Sequence, residues 1–398
     1  MKYVVVIMDG AAGRPLLDRG ARTSLELART PNLDRLATAG TIGLVQTVPP
    51  GMEPSSACAC MSLLGYDPVV YYRGRASIEA LSMGIPIGPG EAVFRCNLVA
   101  VRDGKMLDYS AGHISSEEAA QLVATLNDRL RNGRASGRVR FYPGVSYRHI
   151  LKLGGAEETL KATCTPPHDI SGQPIADFLP KGPGSALLLD LMRRSEAILR
   201  DHPINVRRRS RGEVEPTTIW LFWGSGAIPQ VPSFQQLYGL RAAMTSGVDL
   251  LRGLAKMMSM TIIEIPGVTD GLDNDCAAQV NGALAALDKH DLVVVHVEAP
   301  DEAGHAGSVE EKIHAIEKID TEVIAPLGDR GDLRVLVLPD HPTPIETKTH
   351  NPEPVPFLLW GPGFAANGAR RLTEPDGKRT TLLIEPGYTI MSRFTGHA

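Results

Sequence analysis

The stretch KYVVVIMDG, residues 2–10, is a β-branched apolar run that ends in an aspartate and a glycine. Two later stretches are similar apolar runs, namely DLVVVHV at 291–297 and LRVLVL at 333–338. Such short continuous apolar runs are typical of strands buried on both faces of a mostly parallel sheet. We therefore predict an α/β fold with helices flanking the sheet. The other elements expected in the outer parts of the chain are helices at residues 30–39, 240–258 and 309–324 and a final strand at 355–360.

The middle of the chain has a different pattern, because strand-like and helical pieces alternate there with joints rich in proline and glycine. We interpret residues 92–220 as an inserted α+β cap domain. Residues 1–91 and 221–398 then form one discontinuous core. The elements expected inside the cap are strands at 92–101 and 149–153 and helices at 115–132 and 185–201.

Composition favours a soluble globular protein that acts on a small molecule. The chain has 398 residues, 43% of them hydrophobic and 22% charged, and its formal net charge is −4. This balance favours neither a nucleic-acid partner nor a membrane surface. Asp9 interrupts the first apolar run too early for a signal peptide, so we expect a cytoplasmic protein. The five cysteines are odd in number and lack CxxC spacing, which indicates reduced thiols.

Three acids and three histidines follow the three predicted strands. The carboxyl ends of parallel strands meet at one edge of a sheet, where ligands bind in open α/β folds. Carboxylates and imidazoles bind divalent metals, and two adjacent metals can stabilise both oxygens of a phosphoryl transfer. We therefore expect two divalent ions, with Mn²⁺ as the first choice and Zn²⁺, Co²⁺ or Mg²⁺ as alternatives. The six residues are Asp9, Asp301, His305, Asp340, His341 and His350.

A candidate nucleophile lies in PPGMEPSSACACMSLLGYDP, residues 49–68, where a loop rich in proline meets a predicted short helix. Ser55 or Ser56 would stand at the N-terminus of that helix, where the helix dipole and free N–H groups favour a phosphate. A nearby metal would lower the pKa of the serine hydroxyl. The alternative is an ordinary N-cap serine with no chemical role.

Many motifs in this sequence together resemble one family. The chain is similar, over nearly its whole length, to the archaeal-type cofactor-independent phosphoglycerate mutases of the alkaline-phosphatase superfamily. The motifs that carry the resemblance are MDG at 8–10, TPNLDRLA at 30–37, LLGYDP at 63–68, YYRGR at 71–75, FRCN at 94–97, SAGHI at 110–114, PPHDISGQP at 166–174, HPIN at 202–205, EAPDEAGH at 298–305 and PDHPTP at 339–344.

The resemblance implies an alkaline-phosphatase-like core and a role for each residue of the predicted site. Ser56 would be phosphorylated transiently, so that phosphate taken from 3-phosphoglycerate returns to the 2-oxygen of the glycerate without 2,3-bisphosphoglycerate. The implied ligands are Asp9, Ser56, Asp340 and His341 for one metal, and Asp301, His305 and His350 for the other.

We expect arginines of the predicted cap to contact the substrate. Their planar guanidinium groups bind phosphate and carboxylate groups bidentately. A histidine next to an aspartate can also relay or orient a proton, so we assign His168 and Asp169 to catalysis. The predicted substrate-binding arginines are Arg95, Arg148, Arg207 and Arg208.

The sequence also departs from the family pattern. Ser55 stands where the family has glycine, Ala57 stands where it has an acid, and the segment GVTDGLDND at 267–275 differs as well. The chain looks most like a bacterial branch that has been proposed to act as a homoserine kinase. The alternatives are therefore a phosphotransferase or phosphomonoesterase that uses the same site, or a catalytically weak member kept for binding or regulation.

Overall fold

The computed structural model describes residues 1–130, 139–328 and 330–397. The chain divides into two compact units: Met1–Tyr72 with Gln230–Ala398, and Arg73–Pro229. Within the described residues, every helix is too short or too polar to cross a bilayer. The strands are β1 Lys2–Met8, β2 Thr41–Val45, β3 Ala92–Arg102, β4 Lys105–Asp108, β5 Val139–Pro143, β6 Arg148–Leu153, β7 Thr218–Ser225, β8 Ala242–Thr245, β9 Thr261–Ile262, β10 Leu292–Val297, β11 Leu333–Leu338, β12 Val355–Trp360 and β13 Leu383–Ile384.

The helices range from single turns to four turns in length. They are α1 Ser24–Leu27, α2 Pro31–Ala39, α3 Ser56–Leu63, α4 Pro68–Tyr71, α5 Arg75–Ser82, α6 Ser116–Leu130, α7 Ser185–Arg200, α8 Pro203–Ser210, α9 Phe234–Tyr238, α10 Asp249–Met257, α11 Cys276–Ala286, α12 Ala299–Ala306, α13 Val309–Ile319, α14 Ala325–Gly328, α15 Glu374–Arg379 and α16 Ile390–Thr395.

The first unit is built on one eight-stranded sheet in the order β13-β2-β12-β11-β1-β10-β8-β9. β1 lies inside the sheet between β10 and β11 and is parallel to both. The antiparallel pairs are β11 with β12 and β12 with β2, and the other neighbouring pairs are parallel. The predicted α/β core with a mostly parallel sheet is therefore confirmed.

One predicted element of the first unit is wrong. Residues 240–258 do not form a single helix, because the segment opens with strand β8 and only then enters helix α10. The short apolar run AAMT is fully buried between β10 and β9, and Ser246, Gly247 and Val248 separate it from the helix. A short apolar run fits either period, so the helical pattern that follows had masked the strand.

The second unit contains a five-stranded sheet in which β3 pairs with β4, β6 and β7, and β6 pairs with β5, all antiparallel. Its own core includes Phe94, Phe141 and Trp220. The predicted helix at 185–201 corresponds to α7. The helix predicted at 115–132 corresponds to α6, and its last two residues lie outside the described residues.

The second unit is wider than the cap predicted at 92–220. α5 packs against β3 and β7, and β7 itself continues to Ser225, so both flanks belong to this unit. The polar N–H of Ser77 in α5 donates to Ser225 Oγ at 2.7 Å, which fixes the helix to the end of that strand. The predicted cap left out helix α5, because nothing in the sequence of this helix shows which sheet it packs against.

Candidate metal centre

The predicted acids converge where the central strands of the first unit end. Asp9 follows β1 directly, and Asp340 comes two residues after β11. Asp301 lies in the first turn of α12, which begins at Ala299 just beyond β10. All three carboxylates are buried, with relative exposures of 2% or less. Strand position alone thus explains why residues so far apart in sequence share one site.

Gly10 allows the turn after β1 to approach the other loops. Its φ of +60° lies in the left-handed region, and a Cβ there would stand 2.3 Å from Asp301 Oδ1 and 2.7 Å from Thr343 Oγ1. Gly10 also donates its N–H to Asp340 Oδ1 at 3.0 Å. A side chain at this position would therefore push apart the loops that carry the acids.

The two candidate serines have different roles in the structure. Ser55 is the N-cap of α3, and its Oγ accepts a hydrogen bond from the N–H of Cys58 at 3.3 Å. Ser56 is the first residue of the helix, and its Oγ lies 3.2 Å from Nε2 of His341. Of the two, Ser56 is therefore the one that meets the predicted metal ligands.

Asp9, Asp340 and His341 form one group that could hold a cation, with ligand atoms within 4.8 Å of one another. His341 Nε2 lies 3.2 Å from Asp340 Oδ2 and 3.6 Å from Asp9 Oδ1. The backbone N–H of His341 donates to Asp340 Oδ1 at 2.8 Å, so the other oxygen of that carboxylate faces the imidazole. All three side chains are fully buried.

Asp301, His341 and His350 form a second such group. His350 Nε2 lies 3.5 Å from Asp301 Oδ1, and His305, one turn after Asp301 in α12, places its Nε2 3.1 Å from Asp301 Oδ2. The Nε2 atoms of His305 and His350 are 2.9 Å apart. The structure thus brings together all seven residues that the sequence predicted as metal ligands.

The electrostatics of the first group favour a bound cation. Burial raises the pKa of Asp9 well above its usual value, and the nearby carboxylates of Asp340 and Asp301 raise it further. Asp9 Oδ1 is buried and has no hydrogen-bond partner among the described residues. A divalent cation would satisfy this oxygen and offset the crowded negative charge, so the donor set fits such an ion.

The histidines of the centre are held in different protonation states. Burial lowers the pKa of His341 to about 4, so its ring is neutral and keeps a lone pair that could bind a cation. Burial also acts to lower the pKa of His305, but its hydrogen bond to Asp301, the charge of Asp301 and its hydrogen bond to the Lys348 carbonyl together outweigh this and raise the value to about 9. A cation that replaces the His305 proton would keep the same attraction to Asp301.

Two further residues of this centre were not predicted from the sequence. His296, inside β10, places its Nε2 2.7 Å from Asp9 Oδ2, and its Nδ1 lies 3.0 Å from Ser246 Oγ. Glu298 approaches the same imidazole with its Oε2 at 3.6 Å, and this oxygen has no hydrogen-bond partner among the described residues. Asp9, His296 and Glu298 form a third group with metal-ligand spacing. A histidine within an otherwise apolar strand was the one available signal.

The residues predicted to bind substrate lie in the second unit. Arg95 is buried and places its Nη1 2.6 Å from both carboxylate oxygens of Glu79. Arg208 is also buried, with Nη1 2.7 Å from Glu118 Oε2. The other two arginines, Arg148 and Arg207, are exposed.

The predicted catalytic pair of the second unit is also exposed. His168 Nε2 lies 3.6 Å from Asp169 Oδ1, and the side chains are 42% and 57% exposed. Aromatic rings surround the imidazole, with the Trp223 ring centroid at 5.6 Å and the Tyr109 centroid at 6.1 Å. The pair is therefore adjacent, as predicted, in an aromatic setting that the sequence did not indicate.

The fold and the site define a class, namely α/β proteins in which a buried carboxylate–histidine centre meets a serine at a helix N-terminus. Residues 37–205 match the family model of 2,3-bisphosphoglycerate-independent phosphoglycerate mutase. A protein of that name from Methanothrix thermoacetophila is 48% identical over 379 residues, which cover 94% of either chain. The chain therefore belongs to the family of 2,3-bisphosphoglycerate-independent phosphoglycerate mutases.

Two solved structures resemble the whole chain. The cofactor-independent phosphoglycerate mutase from Thermoplasma acidophilum is 26% identical with a TM-score of 0.65, covering 100% of this chain and 99% of that one. A Pyrococcus horikoshii protein is 25% identical with a TM-score of 0.82, covering 100% and 98%. The likeness thus extends over both units.

Proposed function

We propose that this protein interconverts 3-phosphoglycerate and 2-phosphoglycerate through a phosphoserine at Ser56, without 2,3-bisphosphoglycerate. The observation that carries the proposal is the 3.2 Å approach of Ser56 Oγ to His341, inside the buried cluster of acids and histidines. Membership of the mutase family favours glycerate over homoserine as the phosphate acceptor. The chain also has every predicted metal ligand. This argues against the alternative of a catalytically weak family member that is kept for binding or regulation.

The first step is transfer of the phosphoryl group to the protein. Ser56 Oγ gives up its proton and attacks phosphorus, the bond between phosphorus and O3 of the substrate breaks, and O3 takes up a proton. Because Ser56 begins helix α3, the transferred group lies at the positive end of that helix. Divalent cations, for which we propose two Mn²⁺ ions, would lower the pKa of the Ser56 hydroxyl and offset charge on the phosphoryl oxygens.

The second step returns the phosphoryl group to glycerate. The 2-hydroxyl attacks the phosphoserine, the Oγ–P bond breaks, and the 2-hydroxyl proton leaves as Ser56 regains its own. We propose His168 and Asp169 as the residues that handle these protons, since the imidazole and the carboxylate are adjacent and exposed. Retaining glycerate between the steps requires that water be excluded from the phosphoserine.

Substrate anchoring falls to arginines of the second unit. Arg148 is the best of the four predicted candidates because it is exposed, and exposed Arg207 is the next. Arg95 and Arg208 are already paired with glutamates, which makes them supports of the fold first. We propose Arg148 as the main binding group for the substrate carboxylate or phosphate.

The experiment that tests this function is a coupled enolase assay on the purified, manganese-loaded protein. The substrate is 3-phosphoglycerate, with 2,3-bisphosphoglycerate left out, and a parallel reaction offers homoserine and ATP. We expect rapid formation of 2-phosphoglycerate and no phosphohomoserine. Phosphohomoserine without 2-phosphoglycerate would replace the mutase by a kinase, and release of inorganic phosphate alone would replace it by a phosphatase.

A further inference from the structure

Lys312 in helix α13 is a lysine buried in the first unit with a relative exposure of 0%. Among the described residues, the hydrogen bonds of its ammonium group go to backbone carbonyl oxygens, and no carboxylate forms an ion pair with it. Burial lowers its pKa to about 8, and the carboxylates of Asp301, Glu374, Glu346 and Asp9 oppose this change at longer range. A buried cation without a paired anion is costly.

The ammonium group joins the two loops that carry the candidate metal ligands. Its Nζ donates to the carbonyl oxygen of Ala12 at 3.0 Å and to that of Thr343 at 2.7 Å. Ala12 is three residues after Asp9, and Thr343 is two residues after His341. The N–H of Thr343 also donates to the Ala12 carbonyl at 3.1 Å, so the lysine completes a junction between the loops.

The side chain of Thr343 connects this junction to two of the candidate metal ligands. Thr343 Oγ1 donates a short hydrogen bond to Asp301 Oδ1 and lies 3.3 Å from Nδ1 of His341. These two residues belong to the same group with metal-ligand spacing. Groups that hydrogen-bond to ligands fix their orientation, and their loss typically costs 10- to 100-fold in metal affinity.

We propose that Lys312 is a positioning residue of the metal centre, which holds the Asp9 loop and the Thr343 loop together so that Asp301 and His341 are set for a divalent cation. The inference rests on the proposed function only in taking these residues as metal ligands. It makes a prediction of definite sign, because a purely electrostatic lysine would repel a cation. If Lys312 acted through its charge alone, removing that charge would tighten cation binding. Loss of the junction between the loops would instead weaken cation binding.

The test compares Lys312→Met with a matched control in the same helix. Lys318 also donates from Nζ to loop carbonyls, those of Asn274 at 2.7 Å and Leu272 at 3.4 Å, but this loop carries none of the ligands. Mn²⁺ affinity is measured by calorimetry on the full-length proteins. The electron paramagnetic resonance spectrum of bound Mn²⁺ reports whether its surroundings have changed.

We expect Lys312→Met to bind Mn²⁺ about 10- to 100-fold more weakly with an altered spectrum, and Lys318→Met to match the unsubstituted protein. If Lys312→Met does not fold, Lys312→Gln keeps an N–H donor and should weaken binding by a smaller factor. Unchanged or tighter binding in the folded variant would overturn the inference alone. An unsubstituted protein that binds no Mn²⁺ would overturn both the inference and the proposed function.

Discussion

Burial of His149 in β6 fixes its protonation state. The side chain is 1% exposed, and its Nδ1 accepts a hydrogen bond from the N–H of Gly144 at 3.1 Å. Burial, aided by the nearby charge of Arg95, lowers its pKa to about 3. The unfolded chain, with a histidine pKa of about 6.5, binds this proton first, so stability falls as the pH drops below about 6.5.

We therefore expect the second unit to lose about 2 kcal/mol of stability between pH 7 and pH 5 through His149 alone. Urea unfolding at the two pH values measures this loss, and His149→Gln, which can still accept a hydrogen bond but does not titrate, is the control. The unsubstituted protein should lose about 2 kcal/mol more than the variant. Equal losses would show that His149 takes up its proton in the folded state.

Individual residues could be predicted where strand position decides them. Asp9, Asp340 and His341 follow strands that the apolar runs already indicate, so their convergence was predictable and is seen in the structure. His296 was not, because a buried histidine in a strand looks the same in sequence whether it is a core residue or the partner of an acid. Arg95 was ambiguous for a similar reason, since a sequence does not show that Glu79 neutralises it.

A buried ion pair joins helix α5 to β3. Glu79 in α5 accepts from Arg95 at 2.6 Å and from Arg75 at 2.7 Å. Burial acts to raise the pKa of Glu79, but the charges of Arg95 and Arg75 and their hydrogen bonds together outweigh this and hold the pKa below its usual value. Removing one partner of a buried pair leaves the other charge without compensation.

Glu79→Gln should therefore destabilise the second unit by about 3–5 kcal/mol. Chemical denaturation of the full-length variant measures the change. Glu91→Gln is the comparison, because Glu91 also pairs with a cation, Lys152 at 2.7 Å, but is partly exposed. We expect that variant to lose about 1 kcal/mol or less. Similar losses in both variants would contradict a special role for the buried pair.

The elements were predictable in proportion to the strength of their pattern. β1, β10 and β11 are continuous β-branched runs, and the structure has them within one residue of the predicted bounds. β8 is only four residues long and precedes a strongly amphipathic helix, so its period could not be separated from the helical one. The register and the antiparallel placement of β12 depend on long-range pairing that no local pattern encodes.

At the scale of the whole molecule, the two units should respond differently to metal removal. The buried carboxylates that a cation would neutralise all belong to the first unit. A ligand present at 100 times its Kd stabilises the folded state by about 2.7 kcal/mol. Chelation should therefore lower the unfolding temperature of the first unit and leave that of the second unchanged.

Differential scanning calorimetry with and without a chelator measures both transitions in one sample. The second unit serves as the internal control, since it has its own hydrophobic core. A shift of both transitions, or of neither, would contradict a metal centre confined to the first unit. The second unit spans Arg73–Pro229, and its first boundary depends on how α5 packs, which no local pattern encodes.

The central claim is that phosphate passes through Ser56, and the direct measurement is mass spectrometry after rapid acid quench of the manganese-loaded protein with 3-phosphoglycerate. We predict phosphate on Ser56, and neither phosphoprotein nor turnover in Ser56→Ala, which should keep most of its bound metal. Ser55→Ala should still be phosphorylated, because Ser55 caps the helix. Phosphate on Ser55, or near-normal turnover by Ser56→Ala, would contradict the account.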